Sequence, residues 1–392
     1  MLWWKAAGKR IRNCRRNSGN RRARDLLISG GFERIVTATP GVIKIDSHDP
    51  DMTRIREVAH ACKEGKVIAF PTETVYGIGG RMSAPAIEKR LREIKGRSDT
   101  KPFSYHIGDW GMLETLKVKK TPLVRAMARQ FWPGPVTLVV LDMAGHKIGI
   151  RFPRNKIALA LIQEVGEPFI ATSANRSEKP SPHTAHQVVE QLQGAFDQLI
   201  DGGRTELMLD STVVDVTGEI PVVLRKGAQG AEVEKAVGKM NSGKCPRKHI
   251  LIVCTGNSCR SPMAEGWLRH EIEKKGLSSA IEVFSCGTSA RDGLPCTSEA
   301  ELVLRNREID MSGFRSRRCR KGDLWSSDLV LAMAEQHAED IAAMLPAVRE
   351  KTITLNVEDP IGMGMQVYEK TLLDIESKMK QHMNQILQLE QP

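Results

Sequence analysis

The feature that most constrains the fold is a short apolar run leading directly into a loop with two cysteines. HILIVC (249–254) is typical of a buried parallel strand. Cys254-Thr-Gly-Asn-Ser-Cys-Arg-Ser261 follows, and a helix is predicted to open at Ser261. A loop entering a helix N-terminus aims backbone N–H groups at one point, which suits a tetrahedral oxyanion. Gly256 and Asn257 tolerate the left-handed backbone that such a loop needs. The segment therefore predicts an α/β layer with an anion-binding loop.

The side chains of this loop predict nucleophilic chemistry. Its N–H groups favour the thiolate form of Cys254, which is the nucleophilic form. Arg260 can place two donors on phosphoryl oxygens and follow their charge into the transition state. Ser261 can hydrogen-bond the sulfur, and Asp359, followed by Pro360, is a candidate general acid for the leaving group.

Residues 248–390 resemble the low-molecular-weight protein phosphatase family. The supporting segments are SCGT (285–288), IDMSGFRSR (309–317), DLVLAM (328–333) and DPIGMGMQVYEK (359–370). The resemblance implies a flavodoxin-like parallel sheet. It makes Cys254 the nucleophile, Arg260 the transition-state arginine and Asp359 the general acid of a cysteine-dependent phosphatase. The residues that would support the phosphate loop are Thr255, Gly256, Asn257, Ser258, Cys259 and Ser261.

The substrate of this half is open between two phosphorylated side chains of proteins. Tyrosine-specific members of the family resemble CLGNICRS in the loop and carry aromatic residues after Asp-Pro. Here Ser258 replaces the bulky Ile, and Ile361-Gly362 replace the aromatic residues. The loop is more similar to that of bacterial protein-arginine phosphatases, because a hydroxyl can hydrogen-bond a guanidinium group. Phosphoarginine is favoured slightly over phosphotyrosine.

The same loop also resembles that of thioredoxin-coupled arsenate reductases. Those enzymes need two further cysteines after the third strand, and the corresponding stretch 332–345 contains none. Arsenate reduction is therefore disfavoured. A reversible Cys254–Cys259 disulfide that protects the nucleophile stays possible on chemical grounds.

Both halves of the chain alternate apolar runs with helical patterns, which predicts α/β layering. In the first half the predicted strands are KVIAF, VTLVV, IGIRF, PFIAT, STVVDV and PVVLR. Residues 226–248 are rich in Gly and Lys and poor in large apolar residues. We therefore predict a leader over 1–40, a first domain over 41–232, a linker over 233–246 and a second domain over 247–392.

The first half places polar groups at the ends of its predicted strands, where open α/β sheets form pockets. A glycine-rich turn follows the strand KVIAF, and Lys95-Gly96-Arg97 ends a predicted helix. Ser173-Ala174-Asn175 and Asp210-Ser211-Thr212 lie at strand ends. No GxxxxGK[ST] loop is present, so a nucleotide would be held by scattered side chains. These residues alone predict a site for a small anionic molecule.

The order of the segments in the first half is more specific. FPTETVYGIGG, KGRSDTKPF, WPGPVTLVV, IRFP, ATSANRSEKPSP, DSTVVDV and VVLRKGA together resemble the YrdC/TsaC family of threonylcarbamoyl-adenylate synthases, over about residues 50–230. The resemblance implies a twisted mixed α/β sheet. It also implies condensation of L-threonine, bicarbonate and ATP to threonylcarbamoyl-AMP and pyrophosphate, with Mg²⁺ on the polyphosphate. The product would feed a tRNA-modifying ligase complex.

The resemblance also assigns site residues. Those implied to contact threonine are Thr74, His106, Arg151 and Ser211. Those implied to contact ATP are Lys95, Arg97, Thr137, Ser173, Asn175, Ser181 and Arg225. Departures from the family pattern, such as TKPF for NPL and LRKG for LRPG, put specificity in doubt rather than the reaction. The alternative for this half is a module that binds double-stranded RNA, because related proteins do so.

Charge and cysteine content limit the remaining possibilities. Residues 1–25 hold nine Lys or Arg and one acid, a net charge of +8 out of +11 for the whole chain. This leader is interpreted as a disordered or spurious tail, with a targeting peptide or an arm binding tRNA as alternatives. The eight cysteines form no small-scaffold disulfide pattern, and no metal-binding cysteine pairs are present. No apolar run approaches membrane-spanning length, so a cytoplasmic protein without membrane contact is expected.

Overall fold

A computed structural model describes residues 41–96, 102–241 and 246–389. The predicted basic leader over 1–40 lies outside the described residues. Within the described ranges, no helix combines the length and apolar character that crossing a bilayer requires.

The first domain is built on a sheet of ten strands. These are β1 (Gly41–Lys44), β2 (Ile68–Pro71), β3 (Tyr76–Arg81), β4 (Ser104–His106), β5 (Val136–Leu141), β6 (Lys147–Arg151), β7 (Phe169–Ser173), β8 (Gln198–Asp201), β9 (Thr212–Asp215) and β10 (Val222–Arg225). Their order across the sheet is β1-β8-β2-β3-β7-β4-β6-β5-β9-β10. The sheet contains both parallel pairs, such as β5/β9, and antiparallel pairs, such as β5/β6. The predicted mixed α/β sheet is confirmed.

Seven helices of the described chain accompany this sheet. They are α1 (Met52–Lys63), α2 (Ile87–Lys95), α3 (Met112–Thr115), α4 (Pro122–Phe131), α5 (Lys156–Val165), α6 (Ala185–Leu192) and α7 (Gly230–Lys239). Their starts follow local chemistry. Thr121 caps α4 by accepting from the N–H of Val124, and Pro122 occupies the first helical position, where no N–H is needed. Asn155 caps α5 in the same way.

Two sequence expectations differ from the structure in this domain. The predicted glycine-rich turn is short, because Tyr76–Arg81 form the buried strand β3. Gly79 is needed there, since a Cβ would lie 2.4 Å from the carbonyl oxygen of Ile170 on the paired strand β7. The stretch predicted as linker from residue 233 is helical to Lys239, and the buried Val233 packs against the first domain's core.

The second domain carries a separate sheet of four strands. These are β11 (Lys248–Cys254), β12 (Ile281–Gly287), β13 (Leu329–Ala332) and β14 (Thr352–Thr354), in the order β12-β11-β13-β14 and all parallel. The helices are α8 (Arg260–Lys274), α9 (Ser298–Arg305), α10 (Lys321–Ser326), α11 (Glu335–Met344), α12 (Met365–Gln381) and α13 (Met383–Leu387). The expected parallel sheet is confirmed. The predicted terminal helix is divided at His382 into α12 and α13.

Side chains alternate across strand β11, so its two faces enter different apolar clusters. Ile250 and Ile252 pack with residues of α8 and α12. Leu251 and Val253 belong to a second cluster, which continues into the core of the first domain. Burial on both faces explains the uninterrupted apolar run of this strand.

Candidate active sites

A cleft of about 940 Å³ lies along the strand ends of the first domain. The predicted residues that line it are Lys95, His106, Thr137, Arg151, Ser173, Asn175, Ser181, Ser211 and Arg225. They come from the central strands of the sheet, from the strands toward one edge and from helix α2. The ends of β4 and β6 bring His106 beside Arg151, and the start of β5 brings Thr137 beside Arg151. Side chains distant in sequence therefore meet in one cavity.

Lys95 forms a buried polar cluster at one wall of the cleft. Its Nζ donates to the carbonyl oxygen of Ser173 at 2.8 Å and to Asn175 Oδ1 at 2.9 Å. Ser173 Oγ donates to the same Asn175 oxygen at 2.6 Å. Lys95 is 5% exposed, so its charge is directed into the cleft by neutral oxygens. A buried ammonium group in the wall of a cleft suits the binding of an anionic ligand.

A second cluster lies across the cleft, where β5, β9 and β10 run side by side in the sheet. Thr137 Oγ1 and Ser211 Oγ are 2.9 Å apart, and Arg225 donates to Ser211 through its Nη2 (2.9 Å to Oγ) and its Nε (3.0 Å to the carbonyl oxygen). Ser181 Oγ donates to Asp210 at 2.8 Å. Hydroxyl groups and a guanidinium group thus face the Lys95 cluster from the other wall.

Arg151 and His106 form the polar floor of the cleft. Arg151 donates to Glu73 Oε1 at 2.8 Å, and both side chains are buried. Its Nε has no hydrogen-bond partner within the described chain, and neither has Nδ1 of His106. Burial, reinforced by the charge of Arg151, lowers the pKa of His106 to about 3. The imidazole is therefore neutral at physiological pH, and both groups have unused hydrogen-bonding capacity.

Thr74, which the resemblance implies to contact threonine, is not among the residues that line the cleft. Its Oγ1 lies 2.9 Å from Thr72 Oγ1, and Thr72 is the residue that faces the cavity. Glu73 was also missed, although it holds Arg151 and accepts from the N–H groups of Arg154 and Asn155. No local pattern identifies Thr72 or Glu73, because residues 73–75 form a bend, across which the N–H of Thr72 donates to the carbonyl oxygen of Val75. Arg97 lies outside the described residues.

The resemblance implies a Mg²⁺ ion, which would need oxygen ligands. Within the described ranges, no group of three or more His, Cys, Asp or Glu side chains could hold a metal ion. Mg²⁺ is commonly bound through substrate phosphates and water, with few protein ligands. The cleft fits Mg²⁺ carried by a polyphosphate, and the ion's contribution there would be to neutralise phosphate charge.

The second site is the loop between β11 and α8. Cys254 is 3% exposed, and its Sγ lies 2.9 Å from Ser261 Oγ and 3.2 Å from the N–H of Asn257 that donates to it. Asn257 has the left-handed φ of 52° that the sequence predicted for this position. Helix α8 begins at Arg260, immediately after the loop. The geometry directs donors at the sulfur and toward the loop centre.

Asn257 fixes the loop to its surroundings through its amide. Its Nδ2 donates to Ser261 Oγ (2.9 Å) and Ser285 Oγ (2.7 Å), and its Oδ1 accepts from the N–H of Arg317 (2.8 Å). Gly287 makes room beside it, since a Cβ there would lie 2.4 Å from the carbonyl oxygen of Thr255. The segments SCGT and FRSR therefore serve the loop.

Arg260 and Asp359 meet at the mouth of this loop. Arg260 forms an ion pair with Asp359 and donates to the carbonyl oxygen of Val357 at 3.2 Å. Arg260 is 8% exposed in its side chain and Asp359 41%. The three predicted catalytic side chains thus converge from the loop, helix α8 and the segment before α12.

Two further residues contact the loop and were missed. His337 Nε2 lies 2.8 Å from Thr255 Oγ1, and burial followed by the charge of Arg260 lowers the pKa of His337. The hydroxyl of Tyr368 lies 3.4 Å from Cys259 Sγ. Burial, with the hydrogen bond to Cys259, raises the pKa of Tyr368 to about 12. No local pattern of the sequence identifies His337.

Profiles of two enzyme families match the two domains. The Sua5/YciO/YrdC profile, described as telomere recombination, matches residues 60–227. The profile described as low molecular weight phosphotyrosine protein phosphatase matches residues 249–391. The threonylcarbamoyl-AMP synthase of Bacillus subtilis is 35% identical over 286 residues, which cover 63% of this chain and 82% of that protein. The chain belongs to the threonylcarbamoyl-AMP synthase family and carries a low-molecular-weight phosphatase domain after it.

Other relatives and solved structures are also similar to this chain. The threonylcarbamoyl-AMP synthase of Pyrococcus abyssi is 40% identical over 48% of this chain, which spans 58% of the length of that protein. The structure of P. abyssi Sua5 complexed with L-threonine is similar over 80% of this chain and 99% of its own, with 28% identity and a TM-score of 0.47. The low molecular weight protein tyrosine phosphatase of T. tengcongensis is 37% identical over 35% of this chain and 99% of its own, with a TM-score of 0.33.

Proposed function

We propose that the first domain condenses L-threonine, bicarbonate and ATP to threonylcarbamoyl-AMP and pyrophosphate. The observation that carries this proposal is the single cleft that combines the Lys95 cluster with the underused donors of Arg151 and His106. Arg151 would bind the threonine carboxylate through its Nε, while Glu73 holds the other side of the guanidinium group. The Lys95 cluster and Arg225 would bind the polyphosphate.

The proposed reaction joins a carbamate to the nucleotide. The threonine amine attacks bicarbonate and gives a carbamate with loss of water, and an oxygen of this carbamate attacks the α-phosphorus of ATP. The bond from that phosphorus to the bridging oxygen breaks, and pyrophosphate leaves with the electron pair. Cationic side chains assist because charge accumulates on the leaving phosphates.

Pyrophosphate release tests this proposal. The full-length protein is assayed with ATP, bicarbonate and Mg²⁺, with and without L-threonine. We expect threonine-dependent release that falls about tenfold to a hundredfold in Lys95→Met, because a charged donor to phosphate is lost. Lys63→Met, on the exposed surface of α1, is the matched control. No release from a protein that still hydrolyses a phenyl phosphate would mean that the first domain is a binding module, such as one for double-stranded RNA.

For the second domain we propose a phosphatase that works through a phosphocysteine intermediate. The Cys254 thiolate attacks phosphorus, the bond from phosphorus to the leaving atom breaks, and Asp359 gives its proton to that atom. Water then attacks the phosphocysteine, Asp359 takes its proton back, and the thiolate and phosphate are released. Arg260 stabilises the equatorial oxygens once a phosphate displaces its contact with Asp359.

Phosphoarginine is the proposed substrate group, with phosphotyrosine as the alternative. Ser258 is half-buried at the loop, and its Oγ lies 3.5 Å from Cys259 Sγ. The hydroxyl is therefore able to hydrogen-bond a guanidinium group, whereas the branched alkyl group of Ile is not. Ile361, exposed after Asp359-Pro360, offers no aromatic ring to pack against a phenol.

The ratio of two activities tests this preference. In Ser258→Ile we expect the rate on a phosphoarginine peptide, relative to a phosphotyrosine peptide, to fall about tenfold, the order of one lost hydrogen bond to a charged group. Ser258→Thr keeps the hydroxyl and should keep the ratio. An unchanged ratio in Ser258→Ile would contradict the role of this hydroxyl.

The partners of the synthase product and the cellular compartment are also proposed. The adenylate product would pass to a tRNA-modifying ligase complex. A tRNA-binding arm stays an alternative for the basic leader, which lies outside the described residues. The six cysteines of the described chain are free and buried, which suits the reducing conditions of a cytoplasm.

A further inference from the structure

One face of the phosphatase domain, formed by β12 and α10, packs against α4 of the synthase domain and Trp110 before it. Trp325 of α10 contacts Trp110 with ring centroids 5.4 Å apart. Gly322, one turn earlier in α10, fits closely, since a Cβ there would lie 2.7 Å from the Trp110 ring. Trp325 is 1% exposed and Trp110 7%. This fit has the character of a domain interior.

Complementary charges surround the tryptophan contact. Arg125 of α4 forms an ion pair with Asp328, and both side chains are buried. Lys321 Nζ lies 2.6 Å from Asp109 Oδ2. A buried ion pair costs several kcal/mol when one partner is removed, because the other charge stays desolvated. The two surfaces are therefore matched in sign as well as in shape.

Arg129, the next residue of α4 on this side, contacts β12 twice. It forms an ion pair with Glu282, which also lies 2.8 Å from His249 Nδ1. Burial alone would raise the pKa of Glu282, but the hydrogen bond with His249 and the charge of Arg129 hold that pKa at about 2. The guanidinium carbon of Arg129 lies 4.8 Å from the ring centroid of Phe284, a cation–π distance.

The same ring connects the interface to the catalytic loop. The guanidinium carbon of Arg317 lies 4.9 Å from the Phe284 centroid, and its Nε donates to the carbonyl oxygen of Ser285 at 3.0 Å. The N–H of Arg317 donates to Asn257 Oδ1, and the N–H of Asn257 donates to Cys254 Sγ. Direct contacts therefore run from the synthase domain to the nucleophile.

We propose that the synthase domain is a structural part of the phosphatase site. It covers the β12–α10 face, and Arg129 is a positioning residue that acts through Phe284 and Arg317 on Asn257. The tryptophan contact and the ion pairs identify the partner that covers this face as the first domain of the same chain. This inference rests on the proposed phosphatase activity for those measurements below that follow turnover, and not for the others.

The first test asks whether the interface holds without the covalent connection. A protease site replaces residues 242–245, the full-length protein is cut there, and the products are examined by gel filtration at about 1 µM. We expect both halves to elute together and to keep the phosphatase kcat/KM of the uncut protein. Separate elution would overturn the proposal. Neither elution nor folding requires turnover, so failure of the proposed activity is distinguishable from failure of the interface.

The second test concerns Arg129 in the uncut protein. We expect Arg129→Met to weaken binding of inorganic phosphate about threefold to tenfold, and to lower phosphatase kcat/KM by a similar factor, the order of one cation–π contact. Arg129→Lys, which keeps the cation, should recover most of both. Arg90→Met removes an ion pair with Asp197 inside the synthase domain and is the matched control. Equal effects of Arg129→Met and Arg90→Met on phosphate affinity, or no rescue by Lys, would overturn the positioning role.

Discussion

At the scale of single residues, the phosphatase loop depends on one side chain that serves three others. Asn257 is fully buried, donates to two serine hydroxyls and accepts from the backbone of Arg317. It also occupies the left-handed backbone region, where Asn is tolerated more readily than most residues. The loop therefore uses both the conformation and the amide of this residue.

Two substitutions separate these contributions. Asn257→Gly keeps the left-handed backbone and removes the amide, whereas Asn257→Ala removes both advantages. We expect both to lower phosphatase kcat, with Ala also lowering the free energy of unfolding by about 1 kcal/mol more than Gly. Steady-state rates and urea unfolding measure the two effects. A fully active Asn257→Gly protein would show that the backbone conformation alone is sufficient.

The synthase cleft shows what residue patterns can and cannot predict. The cysteine loop was predictable in detail because its nucleophile, arginine and supporting side chains are within eight consecutive residues. In the cleft, Arg151 and Glu73 are 78 positions apart, and only the folded sheet brings them together. The sequence likewise does not show that Thr72 lines the cleft, because the direction of a side chain in a bend depends on the backbone.

At the scale of elements, helix α4 lies near an unusual lysine. Lys351 of the phosphatase domain donates to the carbonyl oxygens of Trp325 and Ser327. Burial, with the charges of Lys120 and Arg125, lowers its pKa from 10.5 to about 7. Lys120 and Arg125 belong to the first domain, so residues of one domain lower the pKa of a lysine in the other.

This lysine predicts a pH dependence of stability. Between about pH 7 and 10.5 the unfolded chain binds the proton of Lys351 more tightly than the folded one, so the free energy of unfolding should rise with pH in that window. Urea unfolding at pH 7.0 and 8.5 measures the rise. In Lys351→Met the rise should be smaller, while Lys226→Met, an exposed surface lysine, should behave as wild type. An identical rise in all three proteins would contradict the depressed pKa.

The elements themselves were predictable to different degrees. Strands such as β11 and β5 were indicated by dense apolar runs. Strand β3 was not, because glycines that permit close strand contact look like turn residues in a sequence. The short strand β4 contains only three residues, too few to show a period.

At the scale of the whole molecule, the two domains share an apolar cluster that contains Trp110, Trp325 and Phe284. Sequence patterns identify apolar faces but do not identify which faces meet, so this interface was not predictable. Its existence makes the stability of each half dependent on the other.

Heat inactivation of both activities tests this dependence. Trp110→Ala should remove about 3–5 kcal/mol of packing and shorten the half-life of the phosphatase activity, although Trp110 belongs to the synthase domain. Phe196→Ala is the control, since Phe196 is buried in a cluster confined to the synthase domain. If the two variants shorten the phosphatase half-life equally, the contact of Trp110 with α10 has no special importance.

The shared apolar cluster also affects the relative concentrations of the two active sites in the cell. Each chain delivers one synthase cleft and one phosphatase loop, and a unit held by a common interior is made and degraded as a whole. Changes in expression or turnover therefore alter both concentrations by the same factor. The relative output of the two reactions then depends on other factors, such as the concentrations of their substrates.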